Sequence, residues 1–450
     1  MKRFRHTYHL LTALTILMCL SGCTQDENIL SSGGQEVEEN HTKLLLSITM
    51  PSATTKATPI TLPGTTEENE LKKVTLFIVD NNAVQEYTLQ GSKLQTPLMF
   101  TIANANSGSS KQIYVAANMT DTQISAVKAA ADKNPSMTIN DINDITGSNG
   151  FLMTAQAVGS DGSTRVNITP EETTHIKANL SRVMSKVLLT CTTENEGYVK
   201  LSKPNGYIKL SDVHYALETT NRKFFPFAKT DNEDPNYSMS ETLNQSDNFF
   251  TYSGAVNTSS HVALKYENNR VNSSNDNHYT EGIYCLENTV KTDYDFGQDI
   301  SIPKQVATYV KIAAKFTPKY IDGEEYAEAE AILKLEKNNG TFYTCKKAPE
   351  AYKAICYSSA EAGVQFLNKN GGNFTAKDFI PHEGGWQYYE TFVASPTSFT
   401  DRSNLKRNNY YIMNITSMTA PVQEKTIEVN TTVANWTVKG KTVIEIETNN

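Results

Sequence analysis

The segment KLLLSITMP, residues 43–51, alternates apolar and polar side chains and then stops at a proline. Leu44, Leu46, Ile48 and Met50 fall on one side, with Ser47 and Thr49 on the other. Period-two alternation suits a pleated strand with one buried face, and Pro51, which lacks an N–H for the ladder, ends it. The same short-strand pattern recurs along the chain, in LKKVTLFIVD, YTLQ, KQIYVAANM, VNITP and THIKANLSRVMSKVLLTCT. It continues in YIKLSDVHYALETT, EGIYCLEN, ATYVKIAAKFTP, AEAEAILKLEK, TFYTC, GWQYYETFVA, NNYYIMNITSM and KTIEVNTTVANWTV. One segment, DTQISAVKAAADK, has helical spacing instead, with Ile124, Val127 and Ala131 inward and Thr120 or Asp121 as its cap. Many short strands with few short helices predict an all-β chain of β-sandwiches. At 450 residues it has room for more than one core. The strand around Val183–Leu189 is expected to cross between two domains, and residues 226–280, rich in Asn, Ser and Asp, to form a loop insertion.

Ahead of the first strand, Lys2, Arg3 and Arg5 precede an apolar run from Leu10 to Leu20. That run is too short to span a bilayer and has the dimensions of a secretory signal. Ser21 and Gly22 before Cys23 resemble a lipobox, so residues 1–23 are predicted to be a lipoprotein signal with Cys23 diacylated. An ordinary signal peptide ending near a chance cysteine is the alternative. Gln25, Asp26 and Glu27 resemble the acidic tag that sends Bacteroidales lipoproteins to the cell exterior. Polar residues such as Ser31-Ser32-Gly33-Gly34 cannot bury a core and form a leash.

The net charge is −8, and removing Lys2, Arg3 and Arg5 leaves an exported form near −11. Without basic blocks, such a surface argues against nucleic acid as a partner. Cys191, Cys285, Cys345 and Cys356 form no CxxC pair. Cys345 and Cys356 could bridge across a hairpin, or all four could be buried free thiols. No HExxH, P-loop, GxSxG or GxGxxG motif occurs, which leaves no catalytic residues, cofactor or metal to name and argues against an enzyme. Asp293, Asp295 and Asp299 resemble a calcium loop only faintly, because Lys304 stands where a bidentate acid is needed. Glu328 and Glu330 on one face of the AEAEAILKLEK strand look like paired carboxylates, but alternation with Ala makes that face water-facing.

Several segments, in order, resemble the type V fimbrillins of Bacteroidales, with the minor-fimbrium shaft subunit group the nearest in pattern. They are EENELKKVTLFIVD, KQIYVAANM, NLSRVMSKVLL, VHYALETTNRKFFPF, YCLENT, TYVKIAAKFTP, GGWQYYE and RNNYYIMNITSM. The resemblance implies two transthyretin-like β-sandwich domains, at 57–183 and 184–450, behind a removable leash and first strand at 24–56. It implies a cell-surface structural subunit, held at the outer membrane by its lipid until a maturation protease cuts the loop after the first strand. Neighbouring subunits would then join head to tail, and the fimbrium would support adhesion to a host or bacterial surface receptor. No Arg lies between Arg5 and Arg165, so the cut is expected at Lys56–Ala57. The strand carrying Leu44, Leu46, Ile48 and Met50 would leave. Ile427, Val429, Thr431 and Val433 repeat its spacing, and Ile444 and Ile446 supply a possible second donor strand. An anchor or tip subunit is one alternative. A glycan-binding surface lipoprotein is another, though only Trp386 and Trp436 are available for a sugar platform.

Overall fold

The computed structural model describes residues 41–49, 61–81, 83–94, 98–103, 106–194, 197–237, 245–250, 272–273, 282–289, 306–393, 404–421 and 427–437. The described residues fall within one compact unit, Asn40–Asn450, and are mostly β-strand. The principal strands of the first half are β1 (His41–Thr49), β2 (Thr61–Pro63), β3 (Lys73–Asp80), β4 (Ala83–Gln90), β5 (Leu98–Ala103), β6 (Gly108–Ala117), β7 (Met153–Gln156) and β8 (Thr173–Asn179). Those of the second are β9 (Met184–Cys191), β10 (Gly206–Glu218), β11 (Tyr309–Pro318), β12 (Trp386–Phe392), β13 (Asn409–Met418) and β14 (Ile427–Thr437).

Two sheets enclose the first core. One runs β5-β1-β8 and ends on the short strand Val158–Gly159; the other runs from Ser181–Arg182 through β7-β6-β3-β4. Leu44, Leu46 and Ile48 of β1 meet Val74, Leu76 and Ile78 of β3 in that core, which is what their period-two spacing demands. Phe77, on the opposite face of β3, enters a separate cluster with Ile124 and Val127 of helix α2 (Asp121–Ala129), α1 being the single turn Thr66–Asn69. Both faces of β3 are thus covered, and six consecutive residues, Val74–Val79, are buried.

The chain leaves the first sheet pair at Arg182 and enters β9 at Met184. There β2-β14-β13-β9 form one sheet, and β10-β11-β12 lie in the facing one. Val187 and Leu189 of β9, Tyr411 and Met413 of β13, and Val310 and Ile312 of β11 share the core between them.

Three expectations need correction. AEAEAILKLEK is not a strand: Glu328–Glu336 form helix α3, which buries Ala331 and Leu335. Ala, Glu, Leu and Lys are strong helix formers, and an apolar pair at i, i+4 outweighs the Glu-Ala alternation. Glu328 and Glu330 therefore share no strand face; Glu330 instead accepts from the Ala327 N–H at 3.3 Å, closing the helix start. A further helix, α4 (Ala360–Lys369), capped by Ser359, was not anticipated. Ala131 lies past the end of α2 and is exposed, while the Thr120 cap with Gln123 at its third position is present.

The described part of 226–280 is packed. Phe227 and Phe249 are buried, and Asp234 accepts from the N–H groups of Asn236 and Thr289, both at 2.6 Å. All four described cysteines are buried free thiols, so Cys345 and Cys356 are not bridged. The Asp293–Asp299 loop lies outside the described residues.

Candidate functional site

β1 is the first described strand of the chain, yet it fills an interior place in its sheet. It pairs antiparallel with β5, setting Leu44 against Phe100 and Leu46 against Leu98. On its other side it runs parallel to β8, with Leu44 beside Thr174, Leu46 beside Ile176 and Ile48 beside Ala178. Leu44 and Leu46 are 0 % exposed and Ile48 is 2 % exposed. Burying each such side chain is worth roughly 1.5–3 kcal/mol, so the strand is held mainly by its inner face. Thr42 is buried too, and its Oγ1 accepts from the Glu171 N–H at 3.1 Å. Sequence reasoning missed Thr42, which takes the inward place before Leu44 at the same spacing. The outer face carries His41, Lys43 and the half-buried Leu45, the last opposite the exposed Met99.

The segment after β1 is anchored elsewhere. β2 runs parallel to β14, pairing Thr61 with Asn435 and Pro63 with Thr437. Thr65 caps α1 by accepting from the Glu68 N–H at 3.2 Å, and Glu68 returns a bond by accepting from the Thr65 N–H at 2.7 Å. Glu68 is buried against Lys186 of β9, Nζ to Oε1 2.8 Å, and also accepts from the hydroxyls of Tyr284 and Tyr410. Burial pushes the Glu68 carboxyl up, but the Lys186 charge and these donors outweigh it and leave it below the usual range. Arg182, also buried, donates through Nε to the Glu68 carbonyl at 3.1 Å and through Nη1 to Asn408 Oδ1 at 3.2 Å. The signal for this anchor was in the sequence: Thr65-x-x-Glu68 is a capping box, and Arg182 and Lys186 interrupt an apolar run.

The geometry therefore separates two attachments. β1 belongs to the first sheet pair, while β2 and α1 are fastened to β14, β9 and Tyr284. A break anywhere between Thr49 and Thr61 would leave β1 held by non-covalent contacts alone. Residues 44–182, the stretch from β1 to this anchor, match the family model of the major fimbrial subunit protein (FimA). Through this region the chain is similar to the fimbrial subunit family.

Three solved structures are similar to this chain. A fimbrilin (fimA) of Porphyromonas gingivalis is 15% identical, with 89% of this chain and 99% of that chain covered at a TM-score of 0.47. The tip fimbrial protein of the same species is 12% identical, covering 88% and 100% at 0.40. A fimbrial assembly protein of Parabacteroides distasonis is 9% identical, covering 88% and 95% at 0.35. No curated protein sequence matches the chain.

Of the remaining expected site residues, Cys23, Met50, Lys56, Ala57, Ile444 and Ile446 lie outside the described residues. Ile427, Val429, Thr431 and Val433 are in β14, which pairs along β13 in the chain's own sheet, with Val429 against Ile415 and Val433 against Tyr411. Trp386 opens β12 and packs, partly buried, on Ala216 and Ala313.

Proposed function

We propose that this chain is a shaft subunit of a cell-surface fimbrium, exported as an outer-membrane lipoprotein anchored through Cys23 and matured by a cut at Lys56–Ala57. The cut releases the leash and β1, opening a groove between β5 and β8 that a neighbour's C-terminal strand refills. The two sheet pairs act as two β-sandwich domains meeting near Val183. The observation that carries this reading is the interior position of β1 with three buried aliphatic side chains, beside a following segment anchored independently through Glu68. A groove of unpaired backbone and apolar wall cannot stay open in water, so loss of β1 drives refilling by a strand of matching pattern. Insertion into the next subunit is a heterologous contact that does not close, so it builds a filament.

N-terminal sequencing of isolated fimbriae tests the maturation step. A start at Ala57 is expected, and a start at lipidated Cys23 in assembled material would refute the cut.

A further inference from the structure

Two pieces of chain cross the joint between the sheet pairs in opposite directions. The first is 61–69, which precedes β3 in sequence but sits on the second sheet pair through β14 and the Glu68–Lys186 ion pair. It returns at once to the first pair. Asn118, at the end of β6, accepts from the Lys72 N–H and donates to the Glu70 carbonyl, both at 2.8 Å. Arg182, where the chain crosses again, donates to the Asn69 side chain, so these two crossings are tied together.

The second piece, 222–227, runs the other way. It follows β10 of the second sheet pair, yet lies against residues 134–139 of the first half. Lys223 and Phe224 pair antiparallel with Thr138 and Met137, and the Arg222 carbonyl accepts from the Ile139 N–H at 2.8 Å. Asn134 holds both main-chain groups of Phe227, accepting from its N–H at 3.0 Å and donating to its carbonyl at 2.8 Å. The Phe227 ring lies 4.7 Å from Tyr114 of β6 and 6.2 Å from Phe77 of β3. The Pro226 carbonyl accepts from both halves, from Thr154 Oγ1 of β7 and from Arg407 Nη1 at 3.1 Å. Arg407 also donates to the Phe225 carbonyl at 2.8 Å and is itself held by the buried Glu287.

The two pieces grip the first sheet pair at different places. One meets it beside Lys73, and the other at Phe77 and Tyr114, which stand opposite each other in the β3–β6 ladder. Four residues of strand separate these points, about 13 Å at ~3.3 Å per residue. Phe77, Met184, Leu286 and Tyr410 join one apolar cluster across the joint. An interface between domains permits motion by default, unless it is extensive and apolar. A hinge at 182–184 would have to break one grip or the other.

We propose that residues 222–227 are a strap that, together with 61–69, locks the two sheet pairs into one rigid body with no hinge at 182–184. The proposal stands on the joint alone and holds equally for a shaft, anchor or tip subunit. In a filament it confines bending to the contacts between subunits.

Spin-label distances in the full chain test it. Lys177→Cys on β8 and Glu330→Cys on α3 place labels at exposed positions on the two sheet pairs, while the four described native cysteines are buried. Double electron–electron resonance should give one narrow distance distribution. Asn134→Ala with Phe227→Leu should at least double its width. Labels at Lys93→Cys and Lys177→Cys, both in the first half, should keep their width in that same variant. A broad or two-peaked distribution with the native strap, a width unchanged by the double substitution, or equal broadening of both label pairs overturns the proposal. If circular dichroism shows that the double variant does not fold, Asn134→Ala alone, which removes both bonds to Phe227 from a half-buried position, carries the same test.

Discussion

His382 lies between Thr344, whose Oγ1 is 2.8 Å from Nε2, and Gln387, whose Nε2 is 3.1 Å from Nδ1. The Gln387 amide also donates to the carbonyls of Gly385 and Trp386, which fixes its NH₂ toward the ring. His382 Nδ1 is therefore the acceptor and Nε2 carries the proton in a neutral imidazole, its ring stacked on Phe342 at 4.7 Å. Burial lowers its pKa to about 4 from an ordinary 6.5. The unfolded chain binds the proton more tightly, so stability from this group is full above about pH 6.5 and is lost as pH falls toward 4, by about 3 kcal/mol in all. Urea denaturation at pH 7 and pH 4.5 should show a larger acid loss in the native chain than in His382→Gln, and equal losses would refute it. Nothing around residue 382 in the sequence marks this histidine as buried, because its partners come from positions 342, 344 and 387 through pairing of Phe342–Cys345 with Phe379–His382.

At the scale of elements, β1 was legible because its period-two pattern is complete, and α2 because its Thr120–Gln123 box opens a helical spacing. α3 was misjudged because Glu-Ala alternation mimics a strand over a few residues, and only the packing of Ala331 and Leu335 on the second core decides the matter. The anchor at Glu68 was legible only in its capping box and the charges that interrupt an apolar run; that these meet was not, since Lys186, Tyr284 and Tyr410 come from three separate elements. One prediction belongs to β1 as an element. Leu46→Ala removes a fully buried side chain and should cost the precursor about 2–5 kcal/mol. The same change should leave assembled fimbriae at native stability, because the proposed cut removes β1 before assembly. Denaturant melts of precursor and of fimbriae would show this, and an equal loss in both would mean that β1 remains in the filament.

For the whole molecule, the proposed maturation has the lipid and the groove act in sequence: Cys23 would hold the precursor at the membrane, and the cut that frees the subunit from its lipid would also remove β1. Cys23→Ala should abolish acyl labelling and leave the precursor unprocessed by signal peptidase II; unchanged labelling would refute the anchor. The sequence alone determined the all-β character, the fimbrillin resemblance and which strand presents an aliphatic face, because these depend on local period and motif. Tertiary structure decided that β1 is interior rather than at an edge, and that β2 and α1 are fastened to the second sheet pair. It also decided that the buried Thr42 hydroxyl accepts from the Glu171 N–H. Those facts depend on which distant strands become neighbours, and a strand's own pattern says which face is buried but not against whom.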